Sequence, residues 1–465
     1  MIRRLVAKEL TELRRDGRVL GSLVILLLLG MGAGFSAWQQ ARVQHQAWHA
    51  ASDGEHERWL GQEAKHPHSA AHYGVYAFRP PGPLAAFDPG LSPYLPVTVW
   101  MEAHRQNEAL YRPAQDSGSA GGFIPLSPAI IVGTLLPLLL LLLAAPMISG
   151  ERERGTLRQL LAQGVRPERI VLGKGLALAV LLLLLLLPLW LLAFAALLMT
   201  GAQGDVLLRW LLTGLAALLF LGGFAVFCLL VSACCRQTRT ALLLLLGIWA
   251  FGTLVAPRGV MEWAEARHPT PSALDFRQAI DGGLADGAER ERRIQARAKA
   301  LLRQYGLDDL DDLPVNFNAV RLQEGEEHGN RVFDAVFGEL HDGYLAQERW
   351  LQGAGWMAPF LAFQALSSGL AGSDLLHFRD FVDSAEAHRR MIQKAMNDAI
   401  YLQPETDGRR YVAAPELWAT IPTFDYRPLA TADVMAFYGP GWTALIAWFV
   451  VPLLALMAVS RRLAP

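Results

Sequence analysis

Cysteine is scarce. The chain of 465 residues contains three, namely Cys228, Cys234 and Cys235, all in or at the end of one apolar segment. None lies in the long polar segments, so a disulfide framework is excluded there, and neither spacing nor setting suggests a metal site. An excess of either charge is also missing. The formal net charge is −1, which gives no argument for a nucleic-acid partner. No Gly-x-x-x-x-Gly-Lys-Ser/Thr pattern occurs, since Gly173-Lys174-Gly175 lacks both the preceding loop and the hydroxyl residue. ATP binding through a P-loop is thereby excluded for this chain. No Ser-His-Asp or Cys-His arrangement can be argued from spacing. Lys, Arg, Asp and Glu are absent from the centres of the long apolar segments, where they are costly, which argues against an ion-coupled pump built within them. No strand-like alternation matches the strength of the helical patterns.

Apolar residues are what the chain has in abundance. They make up 52% of it, and charged residues 18%, with a mean hydropathy of +0.25. This mixture indicates a membrane protein with substantial soluble parts. Six runs, at 19–38, 126–148, 170–200, 206–234, 240–256 and 437–460, approach or exceed the roughly 20 residues a helix needs to cross a bilayer. The expected fold is all-α: a polytopic membrane protein with six transmembrane helices and mainly helical extracytoplasmic domains. Residues 1–18 precede the first run. There Ile2, Leu5, Val6, Leu10 and Leu13 recur at helical spacing between charges, as in an interfacial helix that is retained rather than cleaved. The basic clusters lie at Arg3 to Arg18, between 152 and 174, at Arg236 and Arg239, and at Arg461 and Arg462. With six crossings all fall on one face, the cytoplasmic one, so both termini are expected there.

Two long segments are then extracytoplasmic, 39–125 and 257–436. In the first, Pro80, Pro81, Pro83, Pro89, Pro93 and Pro96 interrupt any helix, and a helix is expected over 97–111. In the second, helices are expected over 276–305, 316–350 and 374–402, with the first and last packed together through Phe381 and Ile392. The uncharged stretch 350–373 contains Gly353, Gly355, Pro359, Gly369 and Gly372. A full crossing there would put Arg461 and Arg462 outside, so it reads as a re-entrant or interfacial hairpin, or as a core helix of the outer domain.

The loop 149–169 carries the most information. Leu157, Leu160 and Leu161 share one face of a short amphipathic helix, and Glu151, Arg152, Glu153 and Arg154 precede it. Such a helix, lying across the cytoplasmic end of a bundle, suits docking to a soluble partner. Glu151, Glu153, Gly155, Thr156 and Leu157, followed by Pro167, Ile170, Gly173 and Lys174, resemble the coupling-helix region of ABC-2-type permeases, the membrane subunits of one class of ABC transporters. The long segments after the first and fifth helices resemble one subgroup of these. The resemblance covers the membrane helices and this loop. It implies a bacterial inner-membrane permease that docks an ABC ATPase subunit through Glu151, Arg152, Glu153, Arg154, Gly155, Thr156 and Leu157. ATP and Mg would reside in that partner, with no cofactor bound by this chain. A second permease, a copy or a related chain, would complete the unit, which exports or extracts an amphipathic or bulky substrate. The alternative is a mechanotransmission module that passes ATPase motion to a periplasmic protein.

All twelve histidines lie in the two outer segments. His45 and His49 are four apart and share a helix face, and His66, His68 and His72 cluster nearby. Imidazoles at such spacing can bind zinc or copper. Solvated loops also carry histidine without metal, and no cysteine or methionine cluster accompanies these, so the expectation is no metal, with these five as the only candidates. The run Asp308, Asp309, Asp311 and Asp312 does not match an EF-hand loop and reads as a solvated turn.

The one-sided basic distribution sets a topology test. In a chain with its native cysteines replaced, Arg158→Cys should resist an impermeant thiol reagent in intact cells, while His66→Cys and Asp309→Cys should react. Labelling at 158 from outside would invert the orientation.

Overall fold

The computed structural model describes residues 1–116, 126–199, 204–403 and 411–463; Thr200, the expected end of the third run, lies outside them. Among the described residues, six helices are long and apolar enough to cross a membrane. Helix α1 (Ile2–Arg15) precedes them and is amphipathic. Helix α2 (Gly17–Leu60) runs for 44 residues without a break. That is about 66 Å, against a bilayer core of about 30 Å. The stretch just after its apolar run, Gln39 to Ala51, contains no Gly or Pro, so nothing ends the helix where the apolar run ends.

The short α3 (Pro67–Tyr73) follows, then a three-stranded antiparallel sheet: β1 (Val75–Phe78), β2 (Thr98–Glu102) and β3 (Arg105–Gln106) in the order β1-β2-β3. Val75 faces Met101 and Phe78 faces Thr98 across the first pair. The helix expected over 97–111 is therefore a strand, a turn and a strand. Thr98, Val99 and Trp100 are β-branched or aromatic and favour a pleated surface, and β1 offers them a partner. The weakness of the alternating pattern concealed this small sheet.

The next spans are α4 (Pro128–Glu153), reached through the short α5 (Thr156–Ala162) to α6 (Pro167–Met199), then α7 (Asp205–Cys234) and α8 (Thr238–Arg267). Helices α4 and α8 each contain one π-helical turn, Ile131–Leu135 and Phe251–Val255. Pro137 and Pro257 follow these turns and each removes one bond of the regular ladder. Helix α8 runs on past 256 to Arg267, so the fifth span, like the first, continues beyond its apolar run. Pro146 interrupts α4. There Ser232 of α7 receives the N–H groups of Ile148 and Ser149, each at 3.1 Å, and donates to the Ala145 carbonyl at 2.6 Å. A neighbouring hydroxyl thus satisfies backbone groups that lipid cannot.

Beyond α8 come α9 (Ala273–Ala285) and α10 (Ala288–Tyr305). The expected continuous helix over 276–305 is broken at Asp286, whose ψ of 81° leaves the helical region. Both pieces pack on α11 (Phe317–Ala354), with Phe276 and Ile280 meeting Phe333 and Phe337. Helix α12 (Pro359–Ala371) has 13 residues, about 20 Å, too short to cross. It packs on α7 and on the last span, and Phe363 stacks on Phe220 with ring centroids 5.0 Å apart. The turn between α11 and α12 exposes Trp356 and Met357. Helix α13 (Leu375–Tyr401) is followed by the short helices Glu416–Ala419 and Thr431–Phe437 and then by α14 (Gly439–Ser460). Trp448, midway along α14, donates its indole N–H to the Trp356 carbonyl at 3.0 Å, so the α11–α12 hairpin dips alongside the last span.

The apolar face of α13 is buried as its spacing implies, but against a different partner. Phe381, Val382 and Ala385 pack under the sheet with Ala77, Val99, Met101 and Tyr426. Ile392 and Met396 pack with Trp59 at the end of α2 and with Trp418. Neither Phe381 nor Ile392 shares a core with α9 or α10, because α11 takes the place next to those helices. Phe381 is fully buried. Phe381→Ala should therefore destabilise the domain by about 3–5 kcal/mol, read as a lowered unfolding transition of the detergent-solubilised chain. A loss below about 1 kcal/mol would mean the site is not a packed core.

Candidate functional site

The loop between α4 and α6 is framed by two glycines with positive φ, Gly155 at +74° and Gly164 at +77°. Left-handed backbone at these points costs least for glycine, and it lets α5 turn across the helix ends. Leu157 is fully buried, and Leu160, Leu161 and Val165 pack against the core of the membrane helices. Arg158, Gln159, Ala162 and Gln163 face solvent. The expected amphipathic split is present.

Beneath α1, four charged side chains meet. Lys174 Nζ lies 2.8 Å from Glu9 Oε1 and 3.0 Å from Glu151 Oε1. Lys8 Nζ lies 2.6 Å from Glu151 Oε1 and 3.3 Å from Glu9 Oε1. Glu9, Glu151 and Lys174 are buried. Burial works against the charged form of Lys8, but the hydrogen bond and charge of Glu151 outweigh it and hold the amine above its ordinary range. Helix α1 approaches α6 closely here: a Cβ on Gly173 would sit 2.8 Å from the Leu5 Cβ.

The residues that follow Glu151 reach other helices. Arg152 donates to the carbonyls of Cys235 at 2.5 Å and Ala233 at 3.1 Å, at the C-terminal end of α7, where a cation is favoured. Glu153 accepts from the Thr238 hydroxyl at 2.7 Å, in the first turn of α8, where an anion is favoured. Thr156 donates its hydroxyl to the Glu151 carbonyl at 3.2 Å. Three consecutive side chains at the end of α4 thus hold α1, α6, α7 and α8. Of the residues singled out by the sequence, Glu151 and Leu157 are internal. Arg152, Gly155 and Thr156 are half-buried, and Glu153 and Arg154 are exposed. Sequence reasoning missed Glu9. It lies 165 positions from Lys174, and its only signal was a carboxylate near the apolar stripe of α1.

The histidines separate into different roles. His45 and His49 stack on α2, ring centroids 5.0 Å apart. His66 caps α3, its Nδ1 accepting from the His68 backbone N–H at 3.2 Å. His68 and His72 converge with a residue the sequence did not single out, His104. Among the described residues, these three form the one group of His, Cys, Asp or Glu side chains whose ligand atoms all lie within 4.8 Å of one another. His104 sits in the β2–β3 turn with φ +65°, and the helix expected there hid it.

Removing the Lys174 amine leaves Glu9 and Glu151 buried with half their positive partners. Lys174→Ala should cost about 3–5 kcal/mol, seen as a lower unfolding transition and protease-sensitive α1. Wild-type stability would show that the cluster contributes nothing to α1 docking.

Comparison with known families agrees with this geometry. Residues 102–266 match the family model described as ABC-2 family transporter protein. Residues 273–427 match one described as a domain of unknown function (DUF3526). No curated protein matches the chain. The first match runs from β2 to the end of α8 and includes the α4–α6 loop; the second covers α9 to α13. With its six apolar helices, the chain is an all-α, multi-pass membrane protein, and its residues 102–266 are similar to the membrane region of ABC-2 family transporter proteins.

Proposed function

We propose that the chain is the permease subunit of an ATP-driven ABC transporter, in which a separate ATPase subunit docks on α5 and the loop 149–169. The observation that carries this is the junction at 151–153. There the end of α4, which leads into the half-exposed α5, is joined to four other helices by buried charge and hydrogen bonds. A push on α5 would reach α1, α4, α6, α7 and α8 together. The partner would supply ATP, Mg and hydrolysis. Two permease subunits, identical or related, would form the working unit in the bacterial inner membrane, with the termini and α5 cytoplasmic, the domain of α3, the sheet, α9, α10 and α13 periplasmic, and the α11–α12 hairpin dipping from it beside α14. The substrate class that fits nearly charge-free spans is amphipathic or bulky, exported or extracted from the bilayer.

Within the loop, the roles divide. Glu153, Arg154, Arg158 and Gln159 would form the docking face, while Glu151 and Leu157 hold α5 to the bundle. A second reading rests on α2 and α8, which run unbroken from the spans into the distal domain. Under it, motion passes along these helices to a periplasmic protein and no substrate crosses.

Arg154→Glu with Arg158→Glu should weaken ATPase co-purification by roughly tenfold or more, equivalent to about 1.4 kcal/mol, without loss of membrane-inserted protein. Glu151→Ala should instead lower the amount of folded chain. Full ATPase recovery with the double reversal would remove α5 as the docking face. Substrate-stimulated hydrolysis in liposomes would favour transport, and stimulation only by a periplasmic protein would favour transmission.

A further inference from the structure

We propose that His68, His72 and His104 form a binding site for one late first-row divalent metal ion, zinc or copper, where α3 and the β2–β3 turn meet α11. His68 and His72 are four apart on α3 and so share a face. Pro67 opens that helix, and His66 caps it. His104 is brought in by the two-residue turn between Glu102 and Arg105. Its positive φ is a conformation in which His is over-represented among non-glycine residues.

The geometry fits a metal. His68 Nε2 lies 3.2 Å from His72 Nε2 and 3.3 Å from His104 Nε2. Ligand nitrogens about 2.0–2.1 Å from a tetrahedral ion stand roughly 3.3 Å apart. Without an ion, the single in-plane position on His68 Nε2 holds either one proton or one lone pair. It can then serve its two neighbours only by sharing one N–H or one lone pair between them. An ion accepts a lone pair from all three.

The surroundings are those of a supported ligand. Glu326, on α11, is 4% exposed, and its Oε1 lies 2.5 Å from His104 Nδ1. It also accepts the His104 backbone N–H, at 3.1 and 3.3 Å to its two oxygens. Arg389 of α13 stands 3.5 Å from the other oxygen. A carboxylate on Nδ1 fixes the ring so that Nε2 presents its lone pair, the arrangement typical of metal-bound histidine. His68 is half-buried, while His72 and His104 are exposed, which leaves a fourth position for water or another ligand. Bound metal would pin α3, just beyond the end of α2, to α11.

The test uses the full chain in detergent, stripped with a chelator and titrated separately with zinc chloride and copper sulfate by calorimetry. One ion per chain is expected. His72→Asn, an exposed change, and His68→Ala with His104→Ala should weaken binding at least tenfold. Glu326→Gln should weaken it about 10–100-fold. His45→Ala with His49→Ala should leave it unchanged, and X-ray absorption should show three imidazoles around the ion. Binding of one ion and not the other supports the site and identifies its metal. Circular dichroism would establish that each variant is folded. Absence of saturable binding by the folded wild-type chain overturns the proposal, as does wild-type affinity in folded His72→Asn.

Discussion

The buried contact of Lys174 with Glu9 and Glu151 is the constraint on which this end of the helix bundle depends. Apolar packing alone tells α1 little about where to lie, since lipid is as apolar as its stripe. Two carboxylates and one amine taken out of water, with a second amine at their rim, are different. Each charge is costly to bury unless all are paired, so α1, the end of α4 and the start of α6 have one register that satisfies them. Glu151 is the pivot. It belongs to the helix that continues into α5, so whatever moves α5 acts on a group that cannot leave its partners cheaply.

A second polar knot ties the opposite ends of the spans to the distal domain. Arg209, fully buried near the start of α7, reaches Asp205 at 3.0 Å, the Leu370 carbonyl at 3.4 Å, His377 at 3.3 Å and the carbonyl of Leu429. His377 is paired through Nδ1 with Asp374 at 2.5 Å, and Asp374 accepts the Tyr438 hydroxyl at 2.5 Å. Helices α7, α12 and α13 and the approach to α14 are thereby joined. A guanidinium suits this place because its several donors can serve carbonyls that end α12 and the loop before α14 at once. Helix α7 carries contacts of this kind at both ends, with Arg152 on its C-terminal carbonyls. It also packs backbone-close to α14, where a Cβ on Gly223 would stand 2.9 Å from the Trp448 carbonyl. These features tie α7 to its neighbours at both ends.

The distal domain is built on continuations of α2 and α8 rather than hung on loops. The ring of Trp59 at the end of α2 meets Trp418, with centroids 6.4 Å apart, and donates to the Trp418 carbonyl at 3.0 Å. Trp263 of α8 meets Trp350 of α11 edge-on, at 4.3 Å. Both contacts lie well past the apolar runs. Displacement of a span is then displacement of the domain core, since each helix is continuous across the boundary.

The sequence by itself determined the six spans, the amphipathic α1 and the short helix after Gly155. Each is encoded by a run or a periodicity within about 20 neighbouring residues, and the bilayer requires internally bonded helices whatever the neighbours do. It also marked the apolar face of α13, because burial of one helix face is a local pattern. Tertiary structure alone decided which surface covered that face. Phe381 meets a sheet whose first two strands pair residues 20 or more positions apart in the chain, and the helical reading of 97–111 failed because Thr98, Val99 and Trp100 commit to a strand only when Val75 to Phe78 lies beside them. The same holds for function-bearing groups. Glu151 was visible as part of a motif, but its burial required Lys8, Glu9 and Lys174 from other helices. His68 and His72 were visible as a pair, but His104 joined them only through a hairpin turn. Hydrogen bonds and charge pairs act over a few ångströms in space, and sequence spacing carries that information only within one helix or one turn.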